Sequence, residues 1–207
     1  MLNTNKTSDE NSDLLKIDLP KFDISVYGKS DEVGSDPGAI LKNADISEGE
    51  VVADFGCGVG FFVMEVSKIV GISGKVFAID ISEDLLDAVK NKAIDSGRRN
   101  IYGIRADLEK PSSTGLDNES IDVVLVINVL YLSKNKEVVL GEARRILKKG
   151  GKLIIMDWDE KGRHLMIEED QVVGTKEIKE LARKLELKKI KSFKAGLAHE
   201  VNVFEKS

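Results

Sequence analysis

The sequence predicts an α/β protein in which a doubly wound, mostly parallel sheet carries helices on both faces. Short apolar runs alternate with longer amphipathic segments along most of the 207 residues, which is the pattern of strands joined by helices. The run Ser120 to Asn128 is almost unbroken in apolar residues, as expected of a central strand covered on both faces. Two short alternating runs around Gly196 end the chain, so we expect an antiparallel hairpin at one edge of the sheet.

The stretch VVADFGCGVGFFV, residues 51–63, predicts a strand that ends in a glycine loop. Gly56, Gly58 and Gly60 stand at every second position directly after the apolar run. Glycine is typical where the backbone takes a positive φ or lets a ligand approach closely, because any Cβ would fill that space. The apolar segment Phe61 to Val70 follows as a buried helix, whose first amide groups would face a ligand. Strand, loop and helix form the first half of a nucleotide-binding βαβ unit.

Two common nucleotide-binding motifs do not fit this loop. The dinucleotide fingerprint G-x-G-x-x-G needs a third small residue, and the two possible registers place Phe61 or Val63 there. A phosphate-binding P-loop needs Gly-Lys-Ser or Gly-Lys-Thr after the glycines, and the chain has neither at that point. The loop therefore matches neither the dinucleotide fingerprint nor the P-loop.

The remaining elements follow in order. The segment Ser35 to Gly38 starts a short helix, because Asp or Ser can cap a helix and Pro is tolerated in a first turn. The predicted helices are Ala39 to Ala44, Phe61 to Val70, the segment between Ser82 and Gly97, Lys136 to Lys148, and a segment capped by Thr175 that runs through Leu185. The predicted strands are Val51 to Phe55, Lys75 to Asp80, Ile101 to Asp107, Ser120 to Asn128, Lys152 to Trp158, Lys188 to Phe193 and Val201 to Phe204. The third helix is expected to turn Leu85, Leu86, Val89, Ala93 and Ile94 inward.

An acid ends the second predicted strand. Asp80 lies 20 residues after Gly60, the spacing at which a carboxylate accepts hydrogen bonds from the ribose hydroxyls of a nucleotide. The alternative is that Asp80 caps the helix that follows it or interacts with the dipole of that helix. The upstream glycine loop favours the ribose interpretation.

The sequence resembles the class I S-adenosylmethionine-dependent methyltransferases in an ordered set of motifs. The segment Asp54 to Gly60 is similar to their motif I, an acid followed by G-x-G-x-G, and Asn128 with Val129-Leu130-Tyr131 is similar to their motif IV. The segment Glu142 to Trp158 is similar to the family's helix and its entry into strand five. The resemblance covers residues 35 to 206 and implies a Rossmann-like, seven-stranded sheet of order 3-2-1-4-5-7-6, with strand 7 antiparallel.

The resemblance also implies S-adenosylmethionine as the cofactor. Asp107 would receive the adenine amino group while Leu108 packs on the ring. The cofactor-binding residues that we predict are Asp54, Gly56, Gly58, Gly60, Asp80, Ile81, Asp107, Leu108 and Asn128.

The implied reaction is in-line methyl transfer to an oxygen, nitrogen or sulfur atom of a small molecule. Asn128, Tyr131 and His164 are the candidate catalytic residues, because they follow the fourth and fifth strands, near the expected methyl group. Asp157 and Trp158 are further candidates, and His199 on a terminal strand is a weaker one. For each of them, ordinary packing or solvent exposure is the alternative. A strong base is optional, since it matters for a hydroxyl or ammonium nucleophile and not for a thiolate or neutral amine.

Several residues disfavour functions other than small-molecule methyl transfer, and some alternatives stay open. A nicotinamide oxidoreductase is disfavoured by Phe61 and Val63, whereas a non-catalytic cofactor-binding module or a protein or RNA methyltransferase stays open. The amino-methylating DNA enzymes carry Pro-Pro-Tyr or Pro-Pro-Phe where this chain has Val129-Leu130-Tyr131. Arsenite methylation needs several cysteines, and a catechol-type metal site would want carboxylates where Asn128 stands. Cys57, the single cysteine, excludes an internal disulfide and a multi-thiolate metal site, so no metal is predicted.

Charge is uneven along the chain. Residues 1 to 36 hold eight acids and four lysines, and the remainder holds 28 acids and 27 bases. We therefore divide the chain into an acidic, partly disordered tail or lid at residues 1–34 and a methyltransferase domain at residues 35–207. Near-neutrality of the domain argues against an extended nucleic-acid footprint.

A cytoplasmic protein without membrane segments is expected, acting on a small-molecule acceptor, with a homodimer as one candidate assembly. Phe22 to Asp36 and Asp159 to Gly174 are predicted to act together as a lid that selects the substrate.

Overall fold

The computed structural model describes residues 36–158, 173–196 and 199–207. The predicted tail at residues 1–34, most of both predicted lid segments, and His164 lie outside these described residues. No helix in the described ranges is long and apolar enough to cross a membrane.

A single mixed sheet of seven strands forms the centre of the described fold. The strands are β1 (Val51–Phe55), β2 (Lys75–Asp80), β3 (Ile101–Arg105), β4 (Ile121–Ile127), β5 (Leu147–Trp158), β6 (Leu187–Ala195) and β7 (His199–Lys206). Their order is β3-β2-β1-β4-β5-β7-β6, and β7 is antiparallel to both of its neighbours, while the other pairs are parallel. This confirms the predicted order and the antiparallel hairpin.

Helices cover both faces of the sheet, as predicted. They are α1 (Pro37–Asn43), α2 (Phe61–Val70), α3 (Glu83–Asp95), α4 (Lys136–Ile146) and α5 (Thr175–Lys184). One buried cluster joins α1, α2 and α3 to the sheet, and a second joins α4 and α5 to its other side. We call these sides the α1–α3 face and the α4–α5 face. Because side chains alternate along a strand, Val52 and Ala53 belong to opposite clusters.

The connection between β3 and β4 contains no helix, although a crossover between parallel strands commonly does. Residues 106–120 are instead fastened to α4 through two carboxylates. Glu109 accepts hydrogen bonds from the backbone N–H groups of Lys134 and Asn135, at the start of α4. Glu142, within α4, accepts from the N–H groups of Ser112 and Thr114. Without a helix here, part of the α4–α5 face of β2 and β3 stays accessible.

Some sequence predictions about single residues are wrong. Ile94 is 65% exposed, because α3 buries only Val89 and Ala93 fully. Thr175 does not cap α5; Gly174 stands at the cap position, and the Thr175 hydroxyl donates to Glu200.

Candidate functional site

The three loop glycines have positive φ angles of 66°, 53° and 81° at Gly56, Gly58 and Gly60. Their surroundings differ. A Cβ at Gly56 would lie 2.6 Å from Val129 Cγ2, and a Cβ at Gly60 would lie 2.8 Å from Val89 Cγ2. A Cβ at Gly58 would meet nothing within 4 Å. Gly56 and Gly60 therefore let neighbouring side chains pack against the loop, whereas Gly58 borders open space.

Hydrogen bonds hold the loop in this shape. The N–H of Cys57 donates to the Ile79 carbonyl at 3.0 Å, and the N–H of Gly60 donates to the Cys57 carbonyl at 2.9 Å. Lys92, on α3, donates to the carbonyl of Val59 at 2.7 Å. Gly60 then occupies the cap position of α2 without a side chain of its own. The loop is thus fixed by β2 and α3 before any ligand is considered.

Asp80 joins the glycine loop to the start of α3. Its Oδ2 accepts from the N–H of Gly58 at 3.0 Å, and its Oδ1 accepts from the N–H of Ser82 at 3.0 Å. The cap of α3 is Ser82, whose hydroxyl accepts from the N–H of Leu85. Asp80 therefore supports the turn before the helix rather than capping it. A carboxylate has about four lone-pair positions, so these two bonds leave acceptor capacity for a ligand.

Asp54 lies one strand away from Asp80 on the same face of the sheet. It is 3% exposed, and burial, followed by the charge of Asp80, raises the pKa of Asp54 to about 8. Burial and the nearby carboxylates also raise the pKa of the Cys57 thiol, so this thiol stays protonated and acts as a small buried side chain. Two carboxyl groups crowded beside a glycine loop favour a cationic partner, because a positive charge would stabilise the ionised form of Asp54.

Three further predicted cofactor-binding residues lie at the ends of β2 and β3: Ile81, and the two predicted adenine contacts Asp107 and Leu108. Ile81 is 46% exposed, and its carbonyl accepts from Arg105 Nε at 3.2 Å. Asp107 is half-buried; its Oδ1 accepts from the N–H of Glu109, and its Oδ2 lies 3.2 Å from Lys110 Nζ. Leu108, next to it, is partly buried against the α4–α5 cluster. The fold thus brings these side chains to the same edge of the sheet as Asp80.

The end of β4 carries the predicted catalytic residues Asn128 and Tyr131. Asn128 has a φ of 54°, a left-handed conformation that Asn tolerates, and its N–H donates to the Met156 carbonyl on β5. A short 3₁₀ turn, Leu130–Leu132, follows. Tyr131 is half-buried, and burial together with the charge of Asp157 raises the pKa of its phenol. Tyr131 is therefore a neutral hydroxyl at physiological pH, able to donate a hydrogen bond.

Asp157, near the end of β5, fixes this turn. Its Oδ2 accepts from the N–H groups of Leu130 and Tyr131 at 3.1 and 3.3 Å, and its Oδ1 accepts from the N–H of Trp158 at 2.9 Å. Burial raises the pKa of Asp157 to about 7, although these three N–H groups act in the opposite direction. The sequence marked Asp157 as a candidate for chemistry, but its contacts are those of a residue that positions the Tyr131 backbone.

Trp158 and His199 form a pair on the α1–α3 face at the same edge. Their ring centroids are 4.3 Å apart, the strands pair them directly, and both side chains are buried. His199, the weaker catalytic candidate in the sequence, therefore lies beside Trp158, which the sequence favoured more.

The network around Glu142 was missed by sequence reasoning. Glu142 is 4% exposed and accepts from Arg145 Nε and Nη2 at 2.8 Å each and from the Thr114 hydroxyl at 2.6 Å. Burial alone would raise the pKa of Glu142, but hydrogen bonds from Arg145 and Thr114 outweigh burial and lower it. One feature of the sequence could have indicated this network. Glu142 is an acid on the apolar side of a predicted helix, and Arg145 follows three residues later, at the spacing of a helical ion pair.

Comparison with known proteins identifies the family. The sequence model of a family described as a methyltransferase domain matches residues 46–200, so the chain belongs to this family of methyltransferase domains. The fold agrees with this assignment. A crystal structure of an S-adenosylmethionine-dependent methyltransferase from Aquifex aeolicus has a TM-score of 0.77 and 24% identity, covering 90% of this chain and all of that one.

Curated relatives match over shorter stretches. The chain is 28% identical over 127 residues to a ubiquinone/menaquinone biosynthesis C-methyltransferase from Azotobacter vinelandii, covering 61% of this chain and 49% of that protein. It is 35% identical over 115 residues to an arsenite methyltransferase from Aquipseudomonas alcaligenes, covering 53% of this chain and 33% of that protein. The chain spans about half or less of the length of these relatives.

Proposed function

We propose that the protein binds S-adenosylmethionine and transfers its methyl group to a small-molecule acceptor. The observation that carries the proposal is the relation between Gly58 and Asp80. The carboxylate at the end of β2 is hydrogen-bonded to a loop glycine that borders open space. A nucleoside fits such a site, because the ribose hydroxyls can use the remaining lone pairs of Asp80 while the backbone of Gly58 allows close approach.

The chain offers suitable partners for the rest of the cofactor. Asp54, buried beside Asp80, would be ionised by a cationic ligand. Ile81, Asp107 and Leu108 would hold the base at the ends of β2 and β3. The large residues Phe61 and Val63, where a dinucleotide fingerprint needs a small one, argue against a nicotinamide cofactor.

When bound, S-adenosylmethionine supplies a methyl group on positively charged sulfur, which already makes the thioether a good leaving group. The protein then has mainly to hold the acceptor in line and exclude water. Such positioning can contribute about 7 to 11 kcal/mol toward the barrier. Tyr131 supports this role, because its neutral phenol can donate a hydrogen bond and its backbone is fixed by Asp157. Asn128 would contribute a polar side chain at the end of β4.

Oxygen, nitrogen and sulfur acceptors are the nucleophiles that we propose first. Transfer to carbon is a second candidate, favoured by the similarity to a protein named as a C-methyltransferase. Arsenite is not proposed despite the similarity to an arsenite methyltransferase, because this chain has one cysteine and that cysteine is buried.

Isothermal titration against S-adenosylhomocysteine and against NAD tests the cofactor. We expect binding of the first and no useful affinity for the second, and the reverse result would overturn the proposal. A turnover screen with labelled S-adenosylmethionine and panels of phenols, thiols, amines and hydroquinones then tests the reaction. Cofactor binding without turnover on any panel would favour a non-catalytic binding module or a macromolecular acceptor.

A further inference from the structure

The two edge strands of the sheet differ in how they are protected. The β6 edge carries Lys188, Lys189, Lys191 and Lys194, and its pairing with β7 is interrupted by a register shift between Lys189 and Lys191. Lysines and irregular pairing are the usual devices that stop an edge from pairing with another chain. The β3 edge reads Ile-Tyr-Gly-Ile-Arg and has a single charge at its end. Within the described part of the chain, β3 is the unprotected edge.

The free backbone groups of β3 can be identified from its pairing with β2. The Asn100 carbonyl accepts from Val76 N, and Ala106 N donates to the Asp80 carbonyl, so residues at even positions point toward β2. By alternation, the N–H and C=O groups of Ile101, Gly103 and Arg105 point outward. β3 is the last strand in the order, so no other described strand takes these groups.

We propose that β3 is a homodimer interface, in which two copies pair β3 with β3 in antiparallel fashion about a two-fold axis at Gly103. A strand with three outward residues centred on Gly103 is self-complementary. Ile101 of each copy would oppose Arg105 of the other, and Gly103 would oppose itself. All three pairs are of the hydrogen-bonded type, so each outward N–H and C=O finds a partner.

Side chains agree with this register. Tyr102 of one copy would oppose Ile104 of the other in the closer, non-hydrogen-bonded type of pair. An aromatic ring opposite a β-branched side chain is a favourable cross-strand pair. Tyr102 is 45% exposed and continues an apolar surface through Phe77, whose ring centroid lies 5.7 Å away. This surface is accessible because the connection between β3 and β4 has no helix.

Charges beyond the ends of the strand are complementary as well. The same register brings the exposed Arg99 of one copy toward Asp107 of the other, twice about the axis. On the opposite face, a Cβ at Gly103 would lie 3.8 Å from Leu86, so the centre of the strand is not crowded by its own chain.

Sedimentation equilibrium between about 1 and 100 µM protein tests the dimer, because weak specific complexes dissociate in this range. Tyr102→Lys is the disrupting variant, and Ile190→Lys is its matched control, since Ile190 is 44% exposed on the other edge strand. We expect Tyr102→Lys to raise the dissociation constant roughly tenfold or more, because each of two symmetric pairs gains a charge. Ile190→Lys should leave it unchanged. A monomer throughout the range, or an equal effect of both variants, would overturn the proposal.

Gly103→Pro tests the backbone separately. Proline removes the outward N–H of Gly103 and none of the bonds to β2, and proline is tolerated where an edge N–H faces outward. The variant should therefore keep its melting temperature within a few degrees while losing the dimer. Dimerisation at wild-type strength would contradict β3 pairing.

The register is tested by a cysteine pair. Residues in non-hydrogen-bonded pairs have Cα atoms about 4.5 Å apart, within disulfide range, so Tyr102→Cys combined with Ile104→Cys should form covalent dimers on mild oxidation. Tyr102→Cys alone should not, because the two introduced thiols lie on a diagonal about 7 to 8 Å apart. Cys57 is buried and should not interfere. Equal crosslinking of the single and double variants would contradict the Gly103-centred register.

Discussion

Asp54 and Asp80 lie near the carboxyl ends of neighbouring parallel strands, on the same face of the sheet, and burial of Asp54 together with the charge of Asp80 raises the pKa of Asp54 to about 8. Asp80 has two backbone N–H donors, at Gly58 and Ser82, that stabilise its charge. Near neutral pH the protonated form of the Asp54 carboxyl therefore predominates over the ionised form. A cation that enters the site would change this balance.

The first prediction is that cofactor binding releases a proton. S-adenosylmethionine carries positive charge, which lowers the pKa of a nearby buried carboxyl, so Asp54 should ionise on binding at pH 7. Titration in phosphate and in Tris should then give different apparent enthalpies, because the two buffers take up the proton with different heats. Asp54→Asn should abolish the difference. Equal enthalpies for the wild type in both buffers would mean that Asp54 does not ionise.

The second prediction concerns stability without ligand. The folded pKa of Asp54 lies above its unfolded value near 4, so the folded state holds a proton that the unfolded state has lost. The stabilisation is complete below about pH 4 and is lost as the pH rises toward 8, at roughly 1 kcal/mol per pH unit. Asp157, with a pKa of about 7, adds a smaller loss in the same direction. Urea denaturation at several pH values between 5 and 8 measures this loss. The free energy of unfolding of Asp54→Asn should fall less with rising pH than that of the wild type. If the two free energies fell in parallel, Asp54 would not be the source of the pH dependence.

The third prediction separates ligand space from backbone strain. Gly58→Val should abolish binding of S-adenosylhomocysteine, because the added side chain enters the open space beside the loop and strains a φ of 53°. Gly97→Val is the matched control, since Gly97 has a φ of 65° and open space but lies at the end of α3. Both variants should lose about 1 to 2 kcal/mol of stability. Calorimetric binding that is equal in the two variants would refute the site.

The fourth prediction distinguishes a ribose contact from helix capping. Asp80→Ala should weaken binding of S-adenosylhomocysteine by about 1.5 to 3 kcal/mol, the range for hydrogen bonds to charged groups. Ser82→Ala removes the cap of α3 and should lower stability by about 1 kcal/mol while leaving affinity unchanged. If Asp80→Ala reduced only the melting temperature, the ribose assignment would be wrong.

The sequence predicted strands better than contacts. Apolar runs such as Ile121–Ile127 mark buried strands directly, and the order of the sheet came from the resemblance of whole motifs to a family. Contacts between distant residues have no such local signal. Nothing near Asp157 indicates that its carboxylate accepts from the backbone of Leu130, because only the register of β5 beside β4 brings them together. Gly56 and Gly58 look alike in the sequence, yet only the fold shows that one faces Val129 and the other faces open space.

The last prediction concerns the connection between β3 and β4, which depends on Glu142. Its carboxylate accepts from the backbone and hydroxyl of Thr114, from Ser112 and twice from Arg145, so removing it leaves two buried Thr114 donors and a partly buried guanidinium without this acceptor. Glu142→Ala should lower the free energy of unfolding by about 3 kcal/mol, near the low end for breaking a buried ion pair, since the Arg145 side chain is 27% exposed.

The matched control is Glu186→Ala, which removes an acid paired with the neighbouring Arg144. The Glu186 side chain is 80% exposed, so its loss should cost no more than about 1 kcal/mol. Urea denaturation at pH 7 compares the two variants. Because the pKa of Glu142 is lowered in the folded state, its contribution is present above the unfolded value near 4.5 and is lost as the pH falls below it. The difference in free energy of unfolding between the wild type and Glu142→Ala should therefore become smaller in acid. A difference that stays constant down to pH 3 would show that the stabilisation does not depend on the charge of Glu142.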